Sequence, residues 1–447
     1  MSIDFLHDVF RSRSDADALV WQERQVSYGW LDETVVRQRH WLGHEGVPRG
    51  AVVSLEADFS PQSVALLLSL IEHGCVTVPI TAAQGTRSDQ LCKLAQVEVR
   101  VRIDDEDRIR LDTERAGADH PLLLRLKEAD RPGLVLFSSG STGTIKAAVH
   151  DFVPLLEKFR ARRNAWRTVA LLHFDHIGGL NTLFYTLANG GALVTVADRS
   201  PEVVCRQIER FRAQLLPASP TFLNIMLLSD AHRRYDLSSL EMITYGTEVM
   251  PETTLQRLRK SLPTVRLLQT YGLSEVGILH SRSRSSGSLW VKVGGEGFET
   301  RVVEGMLEIK ARSAMLGYLN APSPFTEDGW LRTDDAVEVD GEYIRILGRG
   351  SDVINVGGEK VYPAEVESVL QRMSGVDNVT VWGESNAITG QIIRADVRLA
   401  TSESIHEFRK RMVRFCRDAL PIFKIPQKVV LVTETPTTGR LKKQRRS

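Results

Sequence analysis

The run Ser138-Ser139-Gly140-Ser141-Thr142-Gly143-Thr144-Ile145-Lys146 follows the apolar segment Leu134-Val135-Leu136-Phe137, so a strand-like stretch opens into hydroxyls and glycines ending on a lysine. Successive backbone N–H groups in such a loop form a concave anion nest, the hydroxyls add donors, and the ammonium adds charge. That chemistry suits a polyphosphate. The spacing departs from GxxxxGK(S/T), so this is not a standard P-loop. A Ser/Thr/Gly stretch alone also reads as a flexible turn; its lysine and the preceding strand are what favour phosphate.

Other chemistry-bearing residues follow in order. Thr270-Tyr271-Gly272-Leu273-Ser274-Glu275 brings an aromatic ring, a hydroxyl and a carboxylate together. Trp330-Leu331-Arg332-Thr333-Asp334-Asp335 ends on acceptors, and Gly348-Arg349 offers a cation. Phosphate donors, an aromatic platform, an acid for a metal and acceptors for ribose hydroxyls are what an ATP site requires. Taken singly each piece is weak; Asp335 alone reads as a turn residue.

These residues need a frame to hold them. From about residue 15 to 200, β-rich runs alternate with amphipathic segments, as at 51–55, 63–73, 76–80, 134–137 and 192–196. This predicts βα units and a largely parallel sheet, with a second alternating stretch from Val203 to about Leu268. Between about Ser281 and Gly348, short strands and turns such as Val339-Asp340-Gly341-Glu342 predict hairpins or a small barrel-like sheet. A new pattern then begins, with strands at 353–356, 379–382, 391–399 and 428–432 and helices at 363–373 and 404–420. The fold class expected is α/β: a large N-terminal domain (1–348) of layered α/β subdomains plus the small barrel-like sheet, then a small mobile α+β C-terminal domain (349–447). Gly348-Arg349-Gly350-Ser351 is a plausible hinge, since glycines absorb large dihedral changes cheaply.

Composition limits the function classes. At 447 residues, with 42% hydrophobic and 25% charged, the chain can bury a large core, and wholesale disorder is excluded. With 57 basic and 56 acidic residues the net charge is +1, so no global field favours nucleic acid or an anionic membrane. The apolar stretch 63–80 is broken by Glu72 and His73, too mixed to span a bilayer. Cys75, Cys92, Cys205 and Cys416 are too scattered for a metal site or a disulfide framework. Met1-Ser2-Ile3-Asp4-Phe5 lacks a secretory n-region, and the expected compartment is the cytoplasm. The basic run 440–446 reads as a solvated terminus.

Taken in order, the motifs resemble those of adenylate-forming enzymes: acyl- and aryl-CoA synthetases, peptide-synthetase adenylation domains and luciferases. Residues 138–146 resemble the family's phosphate loop, which makes Ser138, Ser139, Gly140, Ser141, Thr142 and Gly143 ATP-binding and Lys146 catalytic. Thr270 to Glu275 resembles YGxTE, implying that Tyr271 and Gly272 flank adenine, Ser274 contacts the α-phosphate and Glu275 holds Mg²⁺. Trp330 to Asp335 resembles WxxTGD, whose last aspartate, here Asp335, binds the ribose; Arg349 matches the ribose-binding arginine. Tyr245-Gly246-Thr247-Glu248 resembles the segment that walls the acyl pocket and touches adenine, in a form closer to peptide-synthetase domains. By the same resemblance Tyr245, Gly246 and Thr270 belong to the acyl pocket, and Gly357, Gly358 and Lys360 lie near the pantetheine tunnel.

The resemblance implies a reaction: a carboxylate attacks the α-phosphorus of ATP, giving acyl-AMP and pyrophosphate, and the acyl group passes to CoA or carrier-protein phosphopantetheine. Two departures complicate it. In the family a lysine near the C-terminus bridges carboxylate and phosphate, and here Arg440 occupies that position, with Lys442 and Lys443 close behind. A planar guanidinium does not deliver a point charge in the same geometry. Arg440 performs the role, or Lys442 or Lys443 reaches in, or adenylation is weakened and the chemistry has drifted. At the hinge, Ser351 stands where Asp or Lys is usual, while Asp352 is retained.

Leu172-His173-Phe174-Asp175-His176-Ile177-Gly178-Gly179 resembles FHxxGL, with His176 as the acyl-pocket histidine and Gly178 beside it. Shifted by one, Phe174-Asp175 resembles the FDxS segment whose aspartate holds an amino-acid ammonium; a third reading makes Asp175 a helix cap. The substrate expected is a small aromatic or polar acid. Two alternatives stay open: an adenylate-forming enzyme with an amine or other non-thiol acceptor, and a non-catalytic acyl- or nucleotide-binding homologue.

Overall fold

The computed structural model describes residues 3–114, 117–139 and 144–433. Its core grows from local signals that close helices cleanly. Ser60 accepts from the Ser63 N–H and the Ser63 hydroxyl accepts from the Ser60 N–H, a capping box that starts helix Pro61–His73 with Pro61 in the first turn. Gly74 ends it at φ +81°, a left-handed conformation that a side chain would resist. The helix is apolar almost all round, because it lies in a core shared with helices Tyr28–His44 and Ile177–Ala188 and with strands of both large sheets.

Two seven-stranded sheets carry the N-terminal body. The first runs in the order Arg266–Gln269, Met242–Tyr245, Leu215–Ala218, Arg167–Ala170, Ala192–Thr195, Asp17–Trp21 and Arg24–Ser27, parallel except for the final hairpin. The second sets Val99–Ile103, Val52–Glu56, Val76–Ile80 and Gly133–Ser139 side by side in parallel, with antiparallel strands at both edges. The alternation up to residue 200 predicts strands but not partners. The strand at 17–21, paired with its hairpin partner at 24–27, joins strands from 167 to 269 rather than the intervening strands at 52–139, a long-range pairing that no local periodicity encodes.

Residues 281–349 form a six-stranded antiparallel sheet with long hairpins such as Leu331–Asp340 with Tyr343–Arg349. After the single turn Gly350–Asp352 comes a five-stranded sheet on which helices Pro363–Leu370 and Ile405–Arg417 pack, with its own apolar cluster. Ser404 caps the second helix in a capping box with Glu407. Among the described residues, no helix is long and apolar enough to cross a membrane.

Candidate active site

The parallel strands of the first sheet point their carboxyl ends at one crevice, the usual ligand position in open α/β sheets. Strand Met242–Tyr245 runs out into Gly246-Thr247-Glu248, strand Arg266–Gln269 into the 270–275 segment, and strand Arg167–Ala170 into the residues that start helix Ile177–Ala188. A cavity of about 990 Å³ lies there. Ser138 and Lys146 reach it from the second sheet, Asp335 and Arg349 from the antiparallel sheet.

The two strand-end loops are tied together. The Thr270 N–H donates to the Tyr245 carbonyl at 2.8 Å, and a Cβ on Gly246 would stand 2.7 Å from the Thr270 carbonyl oxygen. Only glycine fits so close an approach. Thr247 then takes φ +72°, a conformation that a β-branched residue adopts only under constraint. Glu248 accepts from the Thr221 hydroxyl at 2.7 Å and from its N–H at 3.3 Å, at the first turn of helix Pro220–Leu228, where a negative charge is favoured.

On the opposite wall the Tyr271 hydroxyl donates to Asp335 Oδ2 at 2.5 Å, and the Asp335 N–H donates to the Thr333 hydroxyl at 3.1 Å. Asp335 is 6% exposed. Burial pushes its carboxyl up, against the Arg349 guanidinium 3.5 Å away and the Tyr271 donation. Burial also works against the charge on Arg349, but Asp335 and Glu275 outweigh it and hold the guanidinium above its usual range. Glu275 accepts from the Tyr318 hydroxyl at 2.5 Å, and the Lys146 ammonium lies 5.3 Å from the centre of the Tyr318 ring. Tyr318 is a site residue that nothing local in the sequence marks, since its partners are 43 and 172 positions away.

Of the remaining candidates, His176, Gly178, Gly272 and Ser274 line the cavity. His176 is itself the cap of helix Ile177–Ala188, its Nδ1 accepting from the Gly178 N–H at 3.0 Å. Asp175 therefore does not cap that helix. Its buried carboxylate accepts from Gln84 Nε2 at 2.7 Å and is not among the cavity-lining residues. Tyr245 lies in the core beneath the loop, 1% exposed. Gly357 and Gly358 form the exposed turn between strands Ile354–Val356 and Glu359–Val361, Lys360 is exposed on the second of these strands, and none of the three lines the cavity. The C-terminal domain instead presents Pro363, Ala364, Glu367 and Gln371 to it, with the Thr253 hydroxyl donating to Gln371 Oε1 at 3.0 Å. Ser139 closes its strand opposite Ile145. Gly140, Ser141, Thr142, Gly143, Arg440, Lys442 and Lys443 lie outside the described residues.

Among the described residues, no group of three or more His, Cys, Asp or Glu side chains is gathered for a metal. Among the carboxylates of the cavity wall, Glu275 beside Lys146 and Tyr318 suits Mg²⁺, which is commonly held by one or two carboxylates plus substrate phosphates and water.

A family model described as AMP-binding enzyme matches residues 6–304, and one described as AMP-binding enzyme C-terminal domain matches residues 365–442. The indoleacetate–CoA ligase of Aromatoleum aromaticum is 26% identical, over 95% of this chain and 93% of that protein. The crystal structure of the anthranilate CoA ligase AuaEII in complex with anthranoyl-AMP superposes with a TM-score of 0.82 at 20% identity, covering 99% of this chain and 95% of that one. The amide bond synthetase McbA from Marinactinospora thermotolerans superposes with a TM-score of 0.78 at 22% identity, covering 99% and 98%.

Proposed function

This chain belongs to the family of AMP-binding enzymes, and from that premise we propose that it is an ATP-dependent ligase that activates a small carboxylic acid and passes the acyl group to a thiol. In the first step a carboxylate oxygen forms a bond to the α-phosphorus while the bond to the bridging α–β oxygen breaks, leaving acyl-AMP and pyrophosphate. In the second a thiolate sulfur bonds to the acyl carbon and AMP departs with the electron pair of the broken C–O bond. CoA or a carrier-protein phosphopantetheine supplies that thiol.

The observation that carries this reading is the meeting of Lys146, Glu275, Tyr271, Asp335 and Arg349 with Gly246 and His176 around one cavity. Lys146 and the 138–143 loop neutralise phosphate oxygens, and Ser274 donates to the α-phosphate. Asp335 takes the ribose hydroxyls, with Arg349 beside it and Tyr271 against adenine. Glu275 holds Mg²⁺, which when bound draws negative charge from the phosphates. Tyr318 keeps one oxygen of Glu275 in place, and Tyr271 does the same for Asp335. Arg440 serves as the bridging cation of the first step. Gly357, Gly358 and Lys360 serve the second step after the C-terminal domain turns about residues 349–352.

The acid is aromatic or polar, in keeping with the indoleacetate ligase among the relatives. An amine acceptor is the second reading, prompted by Arg440 in place of the family's lysine. Carboxylate-dependent exchange of labelled pyrophosphate into ATP tests the first step, across benzoates, arylacetates, amino acids and short fatty acids. Exchange with one class establishes adenylation; none with any acid, despite ATP binding, refutes it. CoA consumption against amide formation then separates the acceptors.

A further inference from the structure

Away from the nucleotide residues, the cavity continues between helix Ile177–Ala188 and the ends of strands Arg167–Ala170 and Arg266–Gln269. Three cations line this end: Lys158, Arg163 and Arg266. The Lys158 ammonium donates to Asn181 Oδ1 at 2.6 Å and to the Ile278 carbonyl at 2.8 Å. The Arg163 guanidinium donates to His280 Nδ1 at 3.0 Å, and the Arg266 guanidinium donates to the Met242 sulfur at 3.7 Å. None of the three forms an ion pair among the described residues, although twenty or more other arginines and lysines do.

Arg163 acts on Lys158, and Arg163 and Arg266 share Tyr185 as a neighbour. Burial and then Arg163 push the Lys158 ammonium down, and among the described residues the nearby Glu296 acts on His280 rather than on Lys158. Burial pushes the Tyr185 hydroxyl up, and Arg163 and Arg266, which line the same cavity, both work against that rise. Around them the walls are apolar and aromatic, with Trp166, Leu215 and Leu268 facing the same space as Tyr185. For Lys158 a like charge nearby and burial beside apolar walls cost repulsion and desolvation, which an anion taken up there offsets, while Arg163 and Arg266 are exposed. Guanidinium forks match a carboxylate in shape as well as sign.

We propose that the acid this enzyme activates carries a second carboxylate, held by Arg163, Arg266 and Lys158 at the far end of the cavity while the first meets the α-phosphate. The substrate is thus a dicarboxylic acid with an aromatic or apolar spacer, and its charged end sets both register and selectivity. This rests on the adenylation reading above only for the role of the first carboxylate; the anion site itself follows from the cations.

Two measurements on the full chain separate the two claims. Pyrophosphate exchange is run with matched pairs, benzoate against terephthalate, 3-phenylpropanoate against its 4-carboxy derivative, and octanoate against suberate. Equilibrium binding of the same acids is followed by calorimetry without ATP. One or more diacids are expected to surpass the matched monoacid at least tenfold in kcat/KM. Arg163→Gln and Arg266→Gln, both at exposed positions, should cut that preference at least tenfold, mainly through KM. Exchange that favours monoacids, or variants that leave the preference intact, overturns the proposal while the ligase reading stands. Diacid binding that weakens in both variants without exchange supports the anion site and sinks adenylation. Neither binding nor exchange with any diacid refutes the proposal outright.

Discussion

Lys158→Met should change how stability depends on pH. The ammonium sits in the cavity wall, and burial, reinforced by Arg163, pushes it down to about 7 from an ordinary 10.5. Between those values the unfolded chain holds a proton that the folded one releases, so stability rises with pH across that window. Each unit is worth about 1.36 kcal/mol, so the whole depression costs the folded protein up to about 5 kcal/mol at neutral and lower pH. About 2 kcal/mol of it is regained between pH 7 and 9. Methionine keeps the length and apolar stem of the side chain but cannot titrate. It also strips Asn181 Oδ1 and the Ile278 carbonyl of their donor, a loss of about 1–3 kcal/mol that is the same at every pH. Urea unfolding of both proteins, followed by tryptophan fluorescence at half-unit steps from pH 7 to 9, isolates the effect. His280, which burial, Arg163 and Lys158 hold below its ordinary 6.5, stays deprotonated across that range in both chains, so the difference in unfolding free energy should move by about 2 kcal/mol in favour of wild type. Parallel curves would refute the reasoning and mean that the ammonium is solvated.

Further consequences can be checked by kinetics. Glu275→Ala should lower kcat/KM for Mg·ATP at least about a hundredfold, near 2.7 kcal/mol of transition-state stabilisation, and a near-normal rate in the exchange assay would remove Glu275 from the metal site. Gly246→Ala forces a Cβ to within 2.7 Å of the Thr270 carbonyl oxygen; the strand-end loop must shift, and the KM for the acid should rise at least about tenfold, unless steady-state kinetics find it unchanged. Tyr271→Phe removes the donor to buried Asp335, a loss of about 1–3 kcal/mol in ATP binding by calorimetry; equal affinity would show that the hydroxyl does not orient that carboxylate. Arg440→Lys should preserve or raise adenylation. If it is silent while Lys442→Ala abolishes exchange, the bridging role belongs to Lys442.

The elements that carry the site are readable because their signals are local. A capping serine with Pro61 starts a helix, an apolar run before Ser138 makes a strand, and Tyr271, Asp335 and Arg349 stand at spacings that name their chemistry. Local signals cannot say which way a side chain turns once the element is placed. Asp175 and His176 are adjacent, yet His176 caps the helix at the cavity while Asp175 turns away to Gln84. The glycine turn at 357–358 carries a strong motif, but helix Pro363–Leu370 of the same domain is what faces the cavity.

What the amino-acid order determines by itself is thus the inventory: strand, loop and lysine, the aromatic and acidic pairs, and the run of α/β units that ends in a smaller α+β body. What only the tertiary structure decides is convergence. Lys158 and Arg163 belong to one unremarkable stretch and Arg266 to another, and Tyr318 meets Glu275 from a short strand of the second sheet. The reason is physical. Periodicity and capping act over a few residues, whereas these groups meet because strands at 17–21 and 167–269 pair into one sheet, and that order is set by burial of the shared core.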